Sequence, residues 1–213
     1  MMLDPSNPLT LLQNKKNNHD IETVREAKLL GQILTDDLKW ERNTEEIVKS
    51  CNKRMRILHE ASKFTGKISD LKLIYTMYIR SKLDSSCVVW HSSLTEKQIN
   101  SLERCQKAAV KVIMKNNYKN YEDALKFLDL DSLQERRRKQ CLKFAKDSLR
   151  NGKMKQLFPL NVQNSGLQTR HKQTFKVNKA SYTERYKQSA IPYMQRLLNE
   201  DERNKNKEKK RYI

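Results

Sequence analysis

The amino-acid sequence predicts a mainly α-helical protein: a bundle of about five helices, one short strand or hairpin near the N-terminus and an extended basic C-terminal arm. The chain of 213 residues contains only four glycines and four prolines, too few for the turns of a protein built from hairpins. Apolar residues recur instead at intervals of three and four residues, and several of these runs begin with a helix-capping pattern. A chain of this length is sufficient for one domain with tails.

The first 40 residues consist of a polar stretch and one strand-like segment. Residues 1–23 are predicted to form an irregular leader, because they show no apolar periodicity. The segment "KLLGQILTDDLKW", residues 28–40, alternates in polarity around Gly31 and ends in the turn signal Thr35-Asp36-Asp37, which predicts a β-strand. An isolated strand is not stable in water, so we expect it to pair with a short partner such as Leu9–Leu12 or to lie loosely against the helices.

Residues 41–158 are predicted to form the helical domain. Asn43 and Glu46 make a capping-box pattern at the start of the first helix, which should end near Gly66. Its buried positions are predicted to be Ile47, Cys51, Met55 and Leu58. Ser69 or Asp70 can begin the second helix. The stripe of this helix consists of Leu71, Ile74, Tyr75, Tyr78, Ile79 and Lys82.

Three further helices complete the predicted domain. Thr95 and Gln98 make a capping box for the third, whose inner face would hold Ile99, Leu102, Ala109, Val112 and Ile113. Residues 121–128 predict a short fourth helix. Ser132 and Glu135 begin the fifth, which should stop at Gly152. Its inward positions are predicted to be Leu133, Cys141, Phe144, Ala145 and Leu149.

Residues 159–199 are predicted to form a basic C-terminal extension in which cations alternate with aromatic residues. Such a pattern either stacks nucleic-acid bases or docks an extended arm onto the bundle, and the sequence leaves both readings open. Met194, Leu197 and Leu198 predict a short terminal helix after Pro192. Residues 200–213 are strongly charged, and we expect a disordered tail there.

The net charge of +19 is distributed unevenly along the chain. Residues 1–50 contain seven Lys or Arg and nine Asp or Glu, a net charge of −2, which leaves +21 for the remainder. A basic body of this kind attracts polyanions, of which nucleic acid is the commonest, because phosphate contacts release condensed counterions. The alternative is a solvated, self-repelling surface.

The densest positive charge lies in "ERRRKQCLKFAKDSLR", residues 135–150, where the cations outnumber the positions of the apolar stripe. Arginine fits phosphate oxygens bidentately, so a basic helix can follow a nucleic-acid backbone without reading bases. The candidate nucleic-acid contacts are Arg136, Arg137, Arg138, Lys139 and Lys143 on this helix, Lys53 and Arg54 on the first helix, and Arg170, Lys172 and Arg185 in the extension. The other interpretation is a solvated face paired with Asp131, Glu135 and Asp147.

No catalytic, metal or cofactor site is predicted. Cys51, Cys87, Cys105 and Cys141 form no C-x-x-C pair, and the four histidines stand apart from one another and from any nucleophile. Four free thiols in a reducing compartment are expected, which places the protein inside the cell, in nucleus or cytoplasm. No apolar run reaches the roughly 18 residues of a membrane span.

Eight short segments, taken in their order along the chain, resemble those of a known protein family. They are "KLLGQIL", "DDLKW", "NTEEI", "LKLIYTMYIRSKL", "VVW", "LERCQKAAV", "YEDALKFLDLDSLQERRR" and "RYKQSAIPYMQRLLN". From about residue 24 to residue 199, this order resembles the C-terminal part of the reverse transcriptases of non-LTR, LINE-like retrotransposons. The resemblance implies that Leu30, Gly31 and Ile33 match the last palm strand, so that residues 24–40 are a palm remnant. It also implies that residues 43 to about 150 match the thumb, which holds template RNA and primer.

The chain departs from that family at the catalytic motif. Polymerases hold two metal ions with paired palm carboxylates, usually in an aromatic-x-Asp-Asp turn. The one Asp-Asp pair here, Asp36-Asp37, follows Leu34-Thr35 and lies beyond the palm-like strand. We therefore expect a non-catalytic fragment that binds RNA or RNA–DNA hybrid through basic helices and that lacks the palm domain of its parent polyprotein. The alternatives are a helical protein-interaction module, or one piece of an active polymerase whose palm is encoded upstream.

Overall fold

The computed structural model describes residues 24–160, 174–175 and 183–207, and the backbone of residues 15–16, 19–20 and 208–209. Helices dominate these residues, and an antiparallel hairpin precedes them. The predicted mainly-α fold class is confirmed.

The strand-like segment folds as a hairpin. Upstream of it, β1 (Lys15–Lys16) pairs with β2 (His19–Asp20) in antiparallel register. Within the segment, β3 (Glu26–Leu29) pairs with β4 (Gln32–Thr35), also antiparallel, with Leu29 opposite Gln32. Leu30 and Gly31 form the turn with φ of 48° and 80°. Consecutive positive φ values belong to the tight hairpin turns that match strand twist. A single strand across Gly31 was therefore the wrong prediction, and the partner of β4 is β3. The proposed partner Leu9–Leu12 lies outside the described residues.

Helix α1 (Glu41–Phe64) buries Ile47, Cys51, Met55 and Leu58, as the apolar spacing predicts. The predicted capping role of Asn43 is wrong. Asn43 lies within the helix, and its Oδ1 accepts a hydrogen bond of 3.0 Å from the Ile33 backbone N–H. The side chain thus ties the hairpin to the bundle.

The second predicted helix is divided into α2 (Ile68–Ile74), a π-helical segment (Tyr75–Arg80) and α3 (Ser81–Leu83). Its buried positions are Leu71, Tyr75, Ile79 and Leu83, each four residues after the last. This wider spacing leaves Tyr78, which was predicted to belong to the stripe, exposed. Helix α4 (Cys87–Trp90) follows and runs into a short 3₁₀ turn (His91–Ser93).

Helix α5 (Glu96–Met114) begins at the predicted capping box of Thr95 and Gln98, which is confirmed in both directions. Helix α6 (Tyr121–Phe127) is capped by Asn120, and α7 (Leu133–Arg150) by Ser132, whose hydroxyl accepts from Glu135 N. Helices α1 and α5 pack along each other in the same direction. At one end Val48 and Ser101 line one groove, and at the other Lys115 Nζ lies 2.6 Å from the Ser62 carbonyl oxygen.

Helices α8 (Glu184–Lys187) and α9 (Ala190–Lys209) complete the described chain. Met194, Leu197 and Leu198 are buried as predicted, in a second core formed with Cys141, Ala145, Phe158 and Phe175. The expectation of a disordered tail from residue 200 is wrong as far as Lys209, because the helix continues. Salt bridges to α7 and the i,i+4 pair Asp201–Lys205 stabilise this part of it.

All four cysteines are free and buried, as predicted. Burial raises the pKa of Cys51 and of Cys87 to about 12, so these thiols remain protonated and unreactive at neutral pH. Among the described residues, no helix is long and apolar enough to cross a membrane. Within the same residues, no cluster of His, Cys, Asp and Glu is suited to a metal ion.

Candidate nucleic-acid interface

Most of the predicted cations of α7 form ion pairs with carboxylates of the same chain. Arg136 Nε lies 2.6 Å from Asp84 Oδ2, and Lys139 Nζ lies 2.7 Å from Asp131 Oδ1. Arg138 Nη2 lies 2.8 Å from Glu200 Oε2, and this hydrogen bond raises the pKa of Arg138. A phosphate that approached these side chains would compete with a carboxylate already in place. The alternative prediction, a helix face whose cations are paired with acidic residues, therefore describes much of α7.

Arg137 is fully buried. Its Nη2 donates a hydrogen bond of 3.0 Å to the Leu83 carbonyl, its Nε lies 3.7 Å from Asp84 Oδ1, and its guanidinium carbon lies 5.0 Å from the centre of the Trp90 ring. Burial lowers the pKa of Arg137, and the Asp84 carboxylate acts in the opposite direction. Because its side chain is enclosed, Arg137 is not available to a nucleic-acid partner. We remove it from the predicted contacts and assign it the role of joining α7 to the α3–α4 connection.

Two members of an acidic triplet on α9, Glu200-Asp201-Glu202, lie against the basic face of α7, whereas Glu202 accepts a hydrogen bond from Thr174 Oγ1. Besides the Arg138–Glu200 pair, Lys146 Nζ lies 2.8 Å from Asp201 Oδ1. Burial pulls the pKa of Asp201 upward, but hydrogen bonds from Lys146 and Lys205 outweigh it and hold this pKa below its ordinary value. The carboxylates of Glu200 and Asp201 thus pair with cations of α7 within the folded chain.

The other predicted contacts are dispersed. Lys143 and Lys53 are exposed, and neither forms an ion pair among the described residues. Arg54 is half-buried, with its guanidinium carbon 4.7 Å from the centre of the Tyr78 ring. Arg185 is exposed on α8 and lines a groove of about 700 Å³ with Trp40, Thr44 and Lys97. Arg170 and Lys172 lie outside the described residues. The structure therefore does not bring the predicted residues together into one site.

A basic row that the sequence analysis missed lies on α5. Arg104, Lys107 and Lys111 are exposed, follow one another at intervals of three and four residues, and form no ion pair within the described part of the chain. We call these three residues the α5 ridge. The signal that could have found it is the spacing, because residues three and four apart share a helix face. The basic residues of α7 are denser in the sequence and were predicted instead.

Two tyrosine rings support the ridge. Lys107 Nζ lies 5.1 Å from the centre of the Tyr121 ring, and Lys111 Nζ lies 5.5 Å from that of Tyr118. These contacts hold the ammonium groups near a neutral π face and leave their charge uncompensated.

A buried hydrogen-bond network fixes the Tyr121 ring. Gln106 Nε2 lies 2.9 Å from the Tyr121 hydroxyl and 3.0 Å from the Asp131 carbonyl oxygen, while the Gln106 side-chain carbonyl accepts from Tyr75. The Tyr121 hydroxyl donates to Glu103, whose carboxylate also accepts from the Leu133 backbone N–H at 3.1 Å. The network joins the π-helical segment, α5, α6 and the start of α7. It therefore makes the support of the ridge rigid.

The Asp36-Asp37 pair has a structural role in the turn after β4. Asp37 Oδ1 accepts from Thr35 Oγ1 at 2.7 Å and from Lys39 N at 3.0 Å, and these hydrogen bonds, with that of Thr35 the strongest, lower the pKa of Asp37. Its Oδ2 lies 3.0 Å from Lys39 Nζ. A carboxylate engaged in this way stabilises the turn.

Comparisons with family models, with curated proteins and with solved structures found no match to this chain.

Proposed function

We propose that the protein binds RNA or an RNA–DNA hybrid through backbone contacts, without catalysis, and that the α5 ridge is the centre of the interface. The observation that carries this proposal is the contrast in pairing. The cations of α5 are exposed and have no acidic partner among the described residues, whereas most of the cations of α7 are paired.

The shape of the ridge fits a phosphate backbone. Arg104 and Lys111 are seven residues apart, about 10 Å along the helix axis. A nucleic-acid strand presents about three phosphates over that length. Neutralising phosphates releases counterions and supports binding without base readout. Tyr118 and Tyr121 pack partly against the core and hold Lys107 and Lys111 in place.

The proposal that the chain is a piece of a retrotransposon reverse transcriptase is supported by the segment order quoted above. In that interpretation, residues 41–158 correspond to a thumb, which favours RNA–DNA hybrid and RNA over duplex DNA. The turn role of Asp36 and Asp37 agrees with a chain that does not itself hold catalytic metal ions. An aromatic-x-Asp-Asp motif in the genomic sequence immediately 5′ of the Met1 codon would instead favour one piece of an active polymerase.

The test is fluorescence anisotropy with labelled RNA, RNA–DNA hybrid and duplex DNA of equal length, over a series of salt concentrations. We expect micromolar affinity at low salt and a linear fall of log K with log salt. The triple variant Arg104→Gln, Lys107→Gln and Lys111→Gln should lower the magnitude of that slope by about 2 on single-stranded RNA. No micromolar binding of any of the three nucleic acids at low salt would refute the proposal.

A further inference from the structure

Five large apolar side chains are exposed on α1, on α2 and on the π-helical segment. They include Phe64, which is 88% exposed, and Met77, which is 70% exposed. The remaining members are Ile57, Leu73 and Tyr78. We call these five residues the π-segment patch. Single exposed apolar residues are ordinary, but a group of large ones on neighbouring elements marks an interaction surface.

The patch belongs to one surface because α1 and the π-helical segment are joined at its centre. The Arg54 guanidinium stacks on Tyr78, and its Nη1 lies 2.5 Å from the Tyr78 carbonyl oxygen. Ile57 lies three residues after Arg54 on α1, and Phe64 lies seven residues after Ile57, so all three share one face. Leu73 and Met77, four residues apart, likewise lie together beside Tyr78.

The π-helical segment contributes two members of the patch, Met77 and Tyr78. Tyr75 and Ile79 are the buried residues of this segment, and Met77 and Tyr78, which lie between them in the sequence, are exposed. A π-helical turn is rare and frequently lies at a functional site. Tyr78 packs on one side against Arg54, but Leu73 and Met77 remain exposed, which is reason to seek a partner for the surface.

The charges around the patch define that partner. Lys53, Arg54 and Arg56 are the nearby cations on α1, and none of them has an ion pair among the described residues. The two nearby acids are already engaged: Glu60 lies 2.8 Å from Lys63 Nζ, and Asp70 accepts a hydrogen bond of 3.2 Å from Thr65 Oγ1. The uncompensated charge beside the patch is therefore positive.

We infer that the π-segment patch is the docking site of an acidic amphipathic helix from a partner protein. An apolar stripe on that helix would cover Phe64, Leu73 and Met77, and its flanking Glu or Asp residues would face Lys53 and Arg56. Nucleic acid fits this surface less well, because phosphates leave the aliphatic side chains in water. The inference is independent of nucleic-acid binding by the α5 ridge, and it reassigns Lys53 and Arg54 to a protein interface.

The probe is a fluorescein-labelled helical peptide of about 18 residues. It carries Leu and Phe at positions i, i+3, i+4 and i+7 and Glu elsewhere. One control peptide has the same composition in scrambled order, and a second has Lys in place of Glu. By anisotropy with the whole protein, we expect the first peptide to bind roughly tenfold more tightly than either control. Equal binding of the scrambled peptide, or no binding of the first, overturns the inference.

Variants locate the binding site. Leu73→Ser with Met77→Ser should weaken peptide binding roughly tenfold, while Phe127→Ser, an equally exposed apolar side chain on α6, should leave it unchanged. All three positions are exposed, so thermal melting should show folded variants. If the double variant instead weakens RNA binding, or dissociates a dimer in sedimentation, the occupant is nucleic acid or a second copy, and the inference is wrong.

Discussion

Two basic helices of this protein, α5 and α7, use their positive charge differently. The cations of α7 lie opposite Asp84, Asp131, Glu200 and Asp201, and they join the helix to α3, α9 and its own preceding loop. The cations of α5 are exposed, and two of them, Lys107 and Lys111, lie over tyrosine rings. Charge density along the sequence is therefore a poor guide to a binding surface, because it does not show which cations the fold has already paired.

The largest expected effect concerns stability at the buried cation of α7. Arg137→Met removes the guanidinium group that lies beside the carboxylate of the partly buried Asp84 and over the ring of Trp90. We expect a loss of about 3 kcal/mol of unfolding free energy, because the variant removes both the charged hydrogen bond to the buried Leu83 carbonyl and the cation–π contact with Trp90. Urea denaturation measures it. A cost below about 1 kcal/mol, the range of exposed ion pairs, would contradict the structural role of Arg137.

The second effect is the pH dependence of stability at His91, which packs near Arg137. Burial, followed by the charge of Arg137, lowers the pKa of His91 from 6.5 to about 4. The unfolded chain therefore binds the proton more tightly, so this contribution to stability is complete above pH 6.5 and is lost progressively as the pH falls towards 4. The loss should reach about 2 kcal/mol at pH 5.

His91→Phe should remove that component of the pH dependence, and His59→Phe, at an exposed site on α1, should leave it in place. The measurement is urea denaturation at a series of pH values. An unchanged pH profile in His91→Phe would show that His91 does not titrate in this way.

The third prediction compares the two helices directly at equal charge change. Arg104→Gln with Lys107→Gln and Lys111→Gln on α5 should weaken RNA binding roughly tenfold at low salt, about 1.4 kcal/mol. Arg138→Gln with Lys139→Gln and Lys146→Gln on α7 should weaken it less than about twofold, since those cations are already paired. Anisotropy titrations decide. A reversal of the order would return the interface to α7.

The smallest expected effect tests the acidic triplet of α9. Glu200→Gln with Asp201→Asn frees Arg138 and Lys146 and should strengthen RNA binding by about threefold, less than 1 kcal/mol. The matched change Asp36→Asn with Glu41→Gln alters the net charge equally at exposed positions that belong to neither α5, α6 nor α7. An equal gain in both variants would attribute the effect to net charge alone.

Capping patterns and apolar spacing, which depend on neighbouring residues, predicted some elements correctly and failed for others. The capping box at Thr95 and Gln98 and the apolar spacing of α1 both depend on residues within one or two turns, and both predictions are confirmed. The Asn43 cap is wrong because Ile33, ten residues away, takes the side chain. The helical conformation of residues 200–209 was missed because its support comes from Arg138 and Lys146, more than fifty residues earlier. Errors thus occur where a distant residue competes with a local preference.

Composition and periodicity alone are sufficient to predict the fold class, the positions of most long helices, the buried thiols and the basic character of the body. Each of these properties depends either on residues that are close in the sequence or on composition, which does not depend on how the chain folds. The pairing of α7 with α3 and α9, the burial of Arg137 and the exposure of the α5 ridge depend on the tertiary structure. The physical reason is that the free energy of a charged side chain is decided by its distance from an opposite charge and from water. Those distances exist only in the folded chain.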